Sequence, residues 1–330
     1  MKILVIPDVH LKPWMFEEAA AIMRKGTAEK AVNLGDLPDD WGCQNVPGIY
    51  KETFDAAKKF KEEFPDTLWC IGNHDVSYIW DYAESGMAYG LAKIAAKEGI
   101  LSLWTSIPDQ NLAYVHRIDN VLFSHGGVSK QFVQEYVPEE ERDNSDKVIA
   151  AINSMTGQQL WQDNSPIWLR PRYLYDDFYT PMYKPDQFFQ VTGHTPKQAI
   201  IQEENVLSCD VFSTYPDGTP FGTQEFCLID TETWQWKPVA CQVPDWLMDK
   251  KAGARCRSVS LLFYFSAGSH LHLIGETMEP SFFIAVKALS TTFLSNPVSS
   301  ATLPTFNGSP AFFIASRMIS FSFISIPLRM

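Results

Sequence analysis

No Cys-x-x-Cys pair occurs in this 330-residue chain; its six cysteines (Cys43, Cys70, Cys209, Cys227, Cys241 and Cys256) fall at irregular intervals. No disulfide framework is legible in that spacing, and reduced, mostly buried thiols in a cytosolic compartment are the expectation. Positive charge is short too: 27 Lys and Arg face 39 Asp and Glu, a net charge of −12. With no basic stripe along the chain, a duplex-binding surface is not expected, because phosphate neutralisation needs clustered cations. No run of about 18 uninterrupted apolar residues is present, so no membrane span is expected. The opening Met1-Lys2-Ile3-Leu4-Val5-Ile6 is too short for a secretory signal and reads as a buried strand. No targeting signal is legible, and a cytoplasmic protein is expected.

What is present is ordinary in bulk, 45% apolar and 20% charged, and patterned as alternating strands and helices. Short apolar runs bounded by turn residues predict strands at Ile3–Ile6, Ala31–Leu34, Leu68–Ile71, Val121–Phe123, Phe188–Thr192, Val206–Ser208 and Glu225–Ile229. Helical patterns lie between them at Phe16–Arg24, Lys51–Phe64, Met87–Lys97 and Lys147–Ser154. Helix then strand, repeated, predicts a layered α/β sheet. Val206–Ser208, Glu225–Ile229 and Thr233–Lys237 lie close together and read as antiparallel hairpins. From residue 252 on, five basic residues stand against two acidic ones, and ten of the 22 phenylalanines gather among serines without a sustained period. That tail reads as a poorly specified C-terminal region or, preferred here on its local inconsistency, as sequence never selected to fold.

Five segments carry the chemistry: Asp8-Val9-His10, Gly35-Asp36, Gly72-Asn73-His74-Asp75, His125-Gly126-Gly127 and Gly193-His194-Thr195. Each sets a metal-ligating or proton-transferring side chain beside a glycine or just after an apolar run, and four of the seven histidines lie within them. In open α/β sheets, ligands bind at the carboxyl ends of the strands. A carboxylate and an imidazole two residues apart, as in Asp8-x-His10, can reach one cation. Asp36 has oxygens enough to bridge two. Asn73 offers a hard carbonyl oxygen, which leaves His74 for proton transfer with Asp75 to orient its ring. His125 and His194 offer imidazoles, the commonest metal ligands. Side chains of these types at one place suit two divalent cations and phosphoryl chemistry, and such cations would reverse the local sign of an acidic protein. Asp39 and Asp40 read as turn or helix-start residues, and His116 as structural. His270 and His272 carry no assigned role. Arg170, rigid between Trp168 and Pro171, is either a planar fork for phosphate or, with Arg172, a solvated loop cation.

In this order, Asp8-x-His10, Gly35-Asp36-x-x-Asp39, Gly72-Asn73-His74-Asp75, His125-Gly126-Gly127 and Gly193-His194-Thr195-Pro196 resemble the motifs of the calcineurin-like metallophosphoesterases. The resemblance runs from residue 2 to about 240, where Phe226–Asp230 is similar to a late strand of that domain. It implies a four-layer αββα sandwich over residues 1–250, leaving 251–330 as an atypical tail, disordered or non-native. It also implies two divalent metal ions, Mn first, with Fe, Zn or Ni as alternatives. By position, Asp8, His10 and Asp36 would hold one ion; Asp36, Asn73, His125 and His194 would hold the other. His74 would be the proton donor, partnered by Asp75, and Arg170 a phosphate clamp.

A lone His before Thr-Pro, and Trp168-Leu169-Arg170, are similar to the phosphoprotein phosphatases and symmetrical diadenosine tetraphosphatases. Asp40 stands where those usually have Arg, and Asp75 where they more often have Glu; phage and bacterial relatives would tolerate such changes. The implied activity is hydrolysis of a phosphate monoester (phosphoprotein, nucleotide or phosphorylated small molecule) by hydroxide held between the ions, with no covalent enzyme intermediate. A phosphodiesterase or nuclease is the alternative enzyme. A catalytically inactive phosphoryl-binding scaffold is the alternative from another class. No oligomeric state is implied.

Overall fold

The computed structural model describes residues 1–171, 180–242, 262–265 and 271–274. The chain divides into two compact units, Met1–Cys256 and Arg257–Met330. In chain order the first unit runs β1 (Lys2–Ile6), α1 (Trp14–Arg24), β2 (Lys30–Asn33), α2 (Pro47–Glu63), β3 (Leu68–Cys70), α3 (Asn73–Trp80) and α4 (Gly90–Trp104). It continues with β4 (Leu112–Ala113), β5 (Val115–Ile118), β6 (Val121–Ser124), α5 (Lys130–Tyr136), α6 (Ser145–Asn153), β7 (Phe189–Thr192), β8 (Ile201–Glu203), β9 (Val206–Ser208), β10 (Glu225–Asp230) and β11 (Trp236–Ala240).

Two sheets form. The first has the order β11-β10-β1-β2-β3-β4, with β1 to β4 parallel and β10 and β11 antiparallel at one side. The second has the order β5-β6-β7-β9-β8; β6, β7 and β9 are parallel, and the antiparallel β5 and β8 close the edges. The central strands are continuous apolar runs because both their faces are covered: Ile3, Leu4, Val5 and Ile6 are all fully buried.

Side-chain alternation along β6 shows the layering. Val121 and Phe123 join Phe189 and Val191 of β7 in the core that holds β1, β2 and the apolar faces of α1, α2 and α4. Leu122, between them, points the other way, into a core with Phe132 and Val133 of α5 and Val148 and Ile152 of α6. The order is therefore helices, sheet, sheet, helices: the sandwich that the family resemblance implies.

Three expectations are corrected, and one helix is added. Asn73, His74 and Asp75 are not a strand-end loop but the first turn of α3, which Asp75 caps by accepting the Gly72 N–H at 2.9 Å. Helix α5 carries no expectation; Ser129 caps it by accepting from the Phe132 N–H. Strand β9 does not join the hairpin of β10 and β11 but lies in the second sheet, between β7 and β8. Cys43 is disulfide-bonded, so the reduced state fails there; pairing is set by folding, which irregular spacing does not reveal.

The proposed boundary at residue 250 lies outside the described residues, as do Arg172, His270 and most of the tail. Within the second unit, where no period was read, β12 (Leu262–Phe265) and β13 (Leu271–Ile274) pair antiparallel, with Leu262 opposite Ile274. Among the described residues, no helix is long and apolar enough to cross a membrane.

Candidate metal centre and active site

Strands β1, β2, β3, β6 and β7 each end just before a chemistry-bearing residue, and their loops meet at a cleft of about 250 Å³ lined by His10, Asp36, Asn73, His74, Arg170 and His194 among others. Asp8 and His125, fully buried, pack against these residues. Turning out of the strands demands left-handed backbone at His10, Leu11, Asp36, Asp39 and His194, with φ of 43°, 56°, 50°, 63° and 62°. Non-glycine residues hold that conformation at a cost on the order of 1–3 kcal/mol each, and such strain gathers at functional sites. Two glycines serve close approach. A Cβ on Gly72 would lie 2.1 Å from Asp36 Oδ1, and one on Gly193 would lie 1.9 Å from Asp8 Oδ1.

The donor atoms converge in two overlapping groups. One ligand atom from each of Asp8, His10 and Asp36 lies within 4.8 Å of the others, as does one from each of Asp36, His125 and His194. Asp36 belongs to both. His10 donates Nδ1–H to the Asp39 carbonyl at 2.8 Å, and His125 donates Nδ1–H to the Leu34 carbonyl at 2.9 Å; each leaves Nε2 facing inward. Around His125 Nε2 stand Asn73 Oδ1 at 2.9 Å, His194 Nδ1 at 3.1 Å and Asp36 Oδ2 at 3.1 Å. Four lone-pair atoms this close repel one another unless a proton or a cation lies among them. Asp8 Oδ1 and His194 Nε2 are buried with no hydrogen-bond partner. Both observations fit divalent cations, and none of these six donors is a thiolate.

Electrostatics point the same way. Burial disfavours charge on His125, but Asp36 and Asp8 outweigh it and push the imidazole up to about 9. Burial, then His125 and Arg170, drive His194 well below its ordinary value. Burial alone would raise Asp36, yet His125, His74 and His10 together hold it below the usual carboxylate range. Burial and Asp210 push Asp8 up.

His74 lines the cleft, but Asp75 is not its partner. Asp75 Oδ2 accepts the N–H groups of Asp36 (2.8 Å) and Gly72 (2.9 Å), and Oδ1 accepts that of Leu37 (3.1 Å). Its position as the third residue of α3 turns the carboxylate back onto the chain, so it ties the β2 loop to the β3 loop. Asp39 takes the orienting place instead: its Oδ2 lies 2.9 Å from His74 Nδ1, while Oδ1 accepts the hydroxyls of Tyr50 (2.7 Å) and Tyr78 (2.5 Å). Burial works against charge on His74, but Asp36 and Asp39 push it up to about 10. Asp39 is therefore no mere turn residue.

Asp40 accepts from Lys12 Nζ at 3.1 Å, and Lys12 is itself fully buried and bonded to the His10 carbonyl. Arg170 is exposed on the cleft and donates Nη1–H to the His194 carbonyl at 2.7 Å. His116, as expected, is structural: it lies buried 3.0 Å from the Trp69 carbonyl, and burial lowers it to about 4.

Two further residues carry no sequence expectation. Glu84 Oε2 accepts from Asn73 Nδ2 at 3.2 Å, which turns the amide oxygen toward His125. A solitary Glu ahead of Ser85-Gly86 gives no sequence signal. Asp210 is buried and lines the cleft; it follows β9 as Asp36 follows β2, so the strand-then-acid rule would have found it.

Residues 1–203 match the family model described as calcineurin-like phosphoesterase. Among curated proteins, none matches the chain. Among solved structures, an archaeal phosphodiesterase is 16% identical over 72% of this chain and 99% of that one, with a TM-score of 0.33. A metallophosphoesterase from Sphaerobacter thermophilus is 15% identical over 77% and 93%, with a TM-score of 0.37. A phosphoesterase from E. coli is 12% identical over 73% and 100%, with a TM-score of 0.28. With the family model spanning well over half of its length, the chain belongs to the calcineurin-like phosphoesterase family.

Proposed function

We propose that this chain is a phosphoesterase working with two divalent cations on phosphate monoesters of a nucleotide, phosphoprotein or small molecule. The observation that carries this is the convergence of Asp8, His10, Asp36, Asn73, His125 and His194, from five separate strand ends, with Asp36 common to both donor groups. Asp8, His10 and Asp36 would hold one cation; Asp36, Asn73, His125 and His194 would hold the other. Manganese comes first from the family resemblance, and iron, zinc or nickel would also accept this set of imidazole, carboxylate and amide oxygen donors. When bound, such a pair supplies a polarised water and positive charge at the phosphoryl oxygens.

The chain's own groups do the rest. His74, with Nδ1 held on Asp39, keeps Nε2 available to the cleft and protonates the leaving oxygen as the P–O bond breaks. Arg170 presents its remaining guanidinium N–H groups to the phosphoryl oxygens. Asp75 contributes by tying the loop that carries Asp36 to the start of α3, which carries His74. Elemental analysis of Asp36→Asn tests the centre. Loss of at least half the bound metal is expected, and unchanged content would refute the bridging assignment.

One observation favours a diester substrate instead. Asp40 is engaged with Lys12, which leaves Arg170 as the only Lys or Arg among the described residues lining the cleft, and a diester carries one negative charge rather than two. Turnover of nitrophenyl phosphate against bis(nitrophenyl) phosphate separates the two.

A further inference from the structure

We propose that Trp41 is a stacking platform for the leaving group, and that this cleft prefers esters whose alcohol side is a flat, uncharged ring: aryl or nucleoside monophosphates rather than polyphosphates. The proposal deepens the phosphoesterase reading and rests on it.

Trp41 lines the cleft beside Asp39, Asp40 and His74 and is nevertheless 45% exposed. Of the eight strongly exposed large apolar residues among those described, it alone faces the cleft. The other tryptophan there, Trp168, is already occupied. Its ring stands edge-on to His194 at 5.5 Å and to Trp161 at 5.0 Å. No ring packs on Trp41 among the described residues, so nearly half of its surface is left in water, where exposed apolar area is costly.

Position sets what would cover it. Trp41 follows by two residues the Asp39 that holds His74, and His74 delivers the proton to the leaving oxygen. The alcohol side of the ester therefore departs along the β2 loop that carries Trp41. Charge narrows the choice further. Asp39, Asp40, Glu84 and Asp210 line the cleft, and the one permanent cation among the described residues lining it, Arg170, is bonded to the β7 loop. A leaving group bearing further phosphates would meet carboxylates there. A neutral ring would meet an indole.

Binding of phenylphosphonate and methylphosphonate to the manganese-loaded full chain, measured by calorimetry, tests this apart from turnover. Stacking on one aromatic side chain predicts about a tenfold tighter phenylphosphonate. Trp41→Ala should erase that advantage, and Trp41→Phe should keep most of it. Adenosine monophosphate should likewise bind tighter than adenosine diphosphate to the unaltered chain. If methylphosphonate binds and phenylphosphonate gains nothing, or if the gain survives Trp41→Ala, the platform is refuted while the phosphoesterase reading stands. If neither phosphonate binds, both are refuted.

Discussion

Asp39→Asn should convert His74, the proposed general acid, into a spectator without disturbing the proposed metal ligands. The two tyrosine hydroxyls decide why. Tyr50 and Tyr78 both donate to Asp39 Oδ1, at 2.7 and 2.5 Å, so in the variant they select the amide oxygen and turn the NH2 group toward His74. At 2.9 Å the amide N–H then faces His74 Nδ1, which must accept rather than donate, and the ring is held neutral with its proton on Nε2. A neutral imidazole is a far weaker acid than imidazolium. General-acid catalysis contributes roughly 10²- to 10⁴-fold, so kcat on an alkyl phosphate should fall about 100-fold. Nitrophenolate leaves without a proton, and its turnover should change by less than about threefold.

Asp75→Asn provides the contrast. Its carboxylate accepts three buried backbone N–H groups, and an amide can serve only one of its two sides. Unpaired buried donors cost on the order of 1–3 kcal/mol each, and roughly 3 kcal/mol in a domain of this size lowers Tm by about 10 °C. Activity should fall equally on both esters. Paired kcat measurements with scanning calorimetry read both variants. Equal losses on the two esters in Asp39→Asn would refute the proton-donor assignment, and a leaving-group effect in Asp75→Asn would restore Asp75 to the role first read for it.

Glu84→Ala frees the Asn73 amide to rotate, so affinity for one of the two cations should drop about 10- to 100-fold, with Tm nearly unchanged; two unchanged affinities by metal titration would dismiss Glu84 as a positioning residue. Metal affinity should also depend on pH. In the metal-free chain His125 is raised from 6.5 to about 9, so across that window a cation must displace its proton. Affinity should then rise with pH by about tenfold per unit and level off above the upper limit; a flat profile between pH 6.5 and 9 would contradict this. Gly193→Ala places a Cβ 1.9 Å from Asp8 Oδ1, within backbone that also holds His194. Loss of metal by elemental analysis is expected, and full occupancy would show that the loop yields.

Much of this was legible in the sequence because the relevant signals are local. A buried parallel strand is a short apolar run, and the residue after it is committed to the carboxyl edge of the sheet; Ile3–Ile6 followed by Asp8, and Val121–Phe123 followed by His125, are read by that rule alone. What was not legible depends on which way a side chain turns once its backbone is placed. Asp39 and Asp75 are chemically identical and follow neighbouring strands, β2 and β3. A left-handed φ of 63° presents Asp39 to His74, whereas a helical first turn bends Asp75 back onto N–H groups. Nothing in the spacing of Gly-Asn-His-Asp states that the helix begins at Asn73, and without that the two carboxylates exchange roles. Glu84 was hidden for a different reason: its partner lies eleven residues away across a turn, and one hydrogen bond of that kind leaves no periodic trace. The candidate donors needed only their strand ends to be found. The groups that orient them needed rotamers, and these follow from the packed structure.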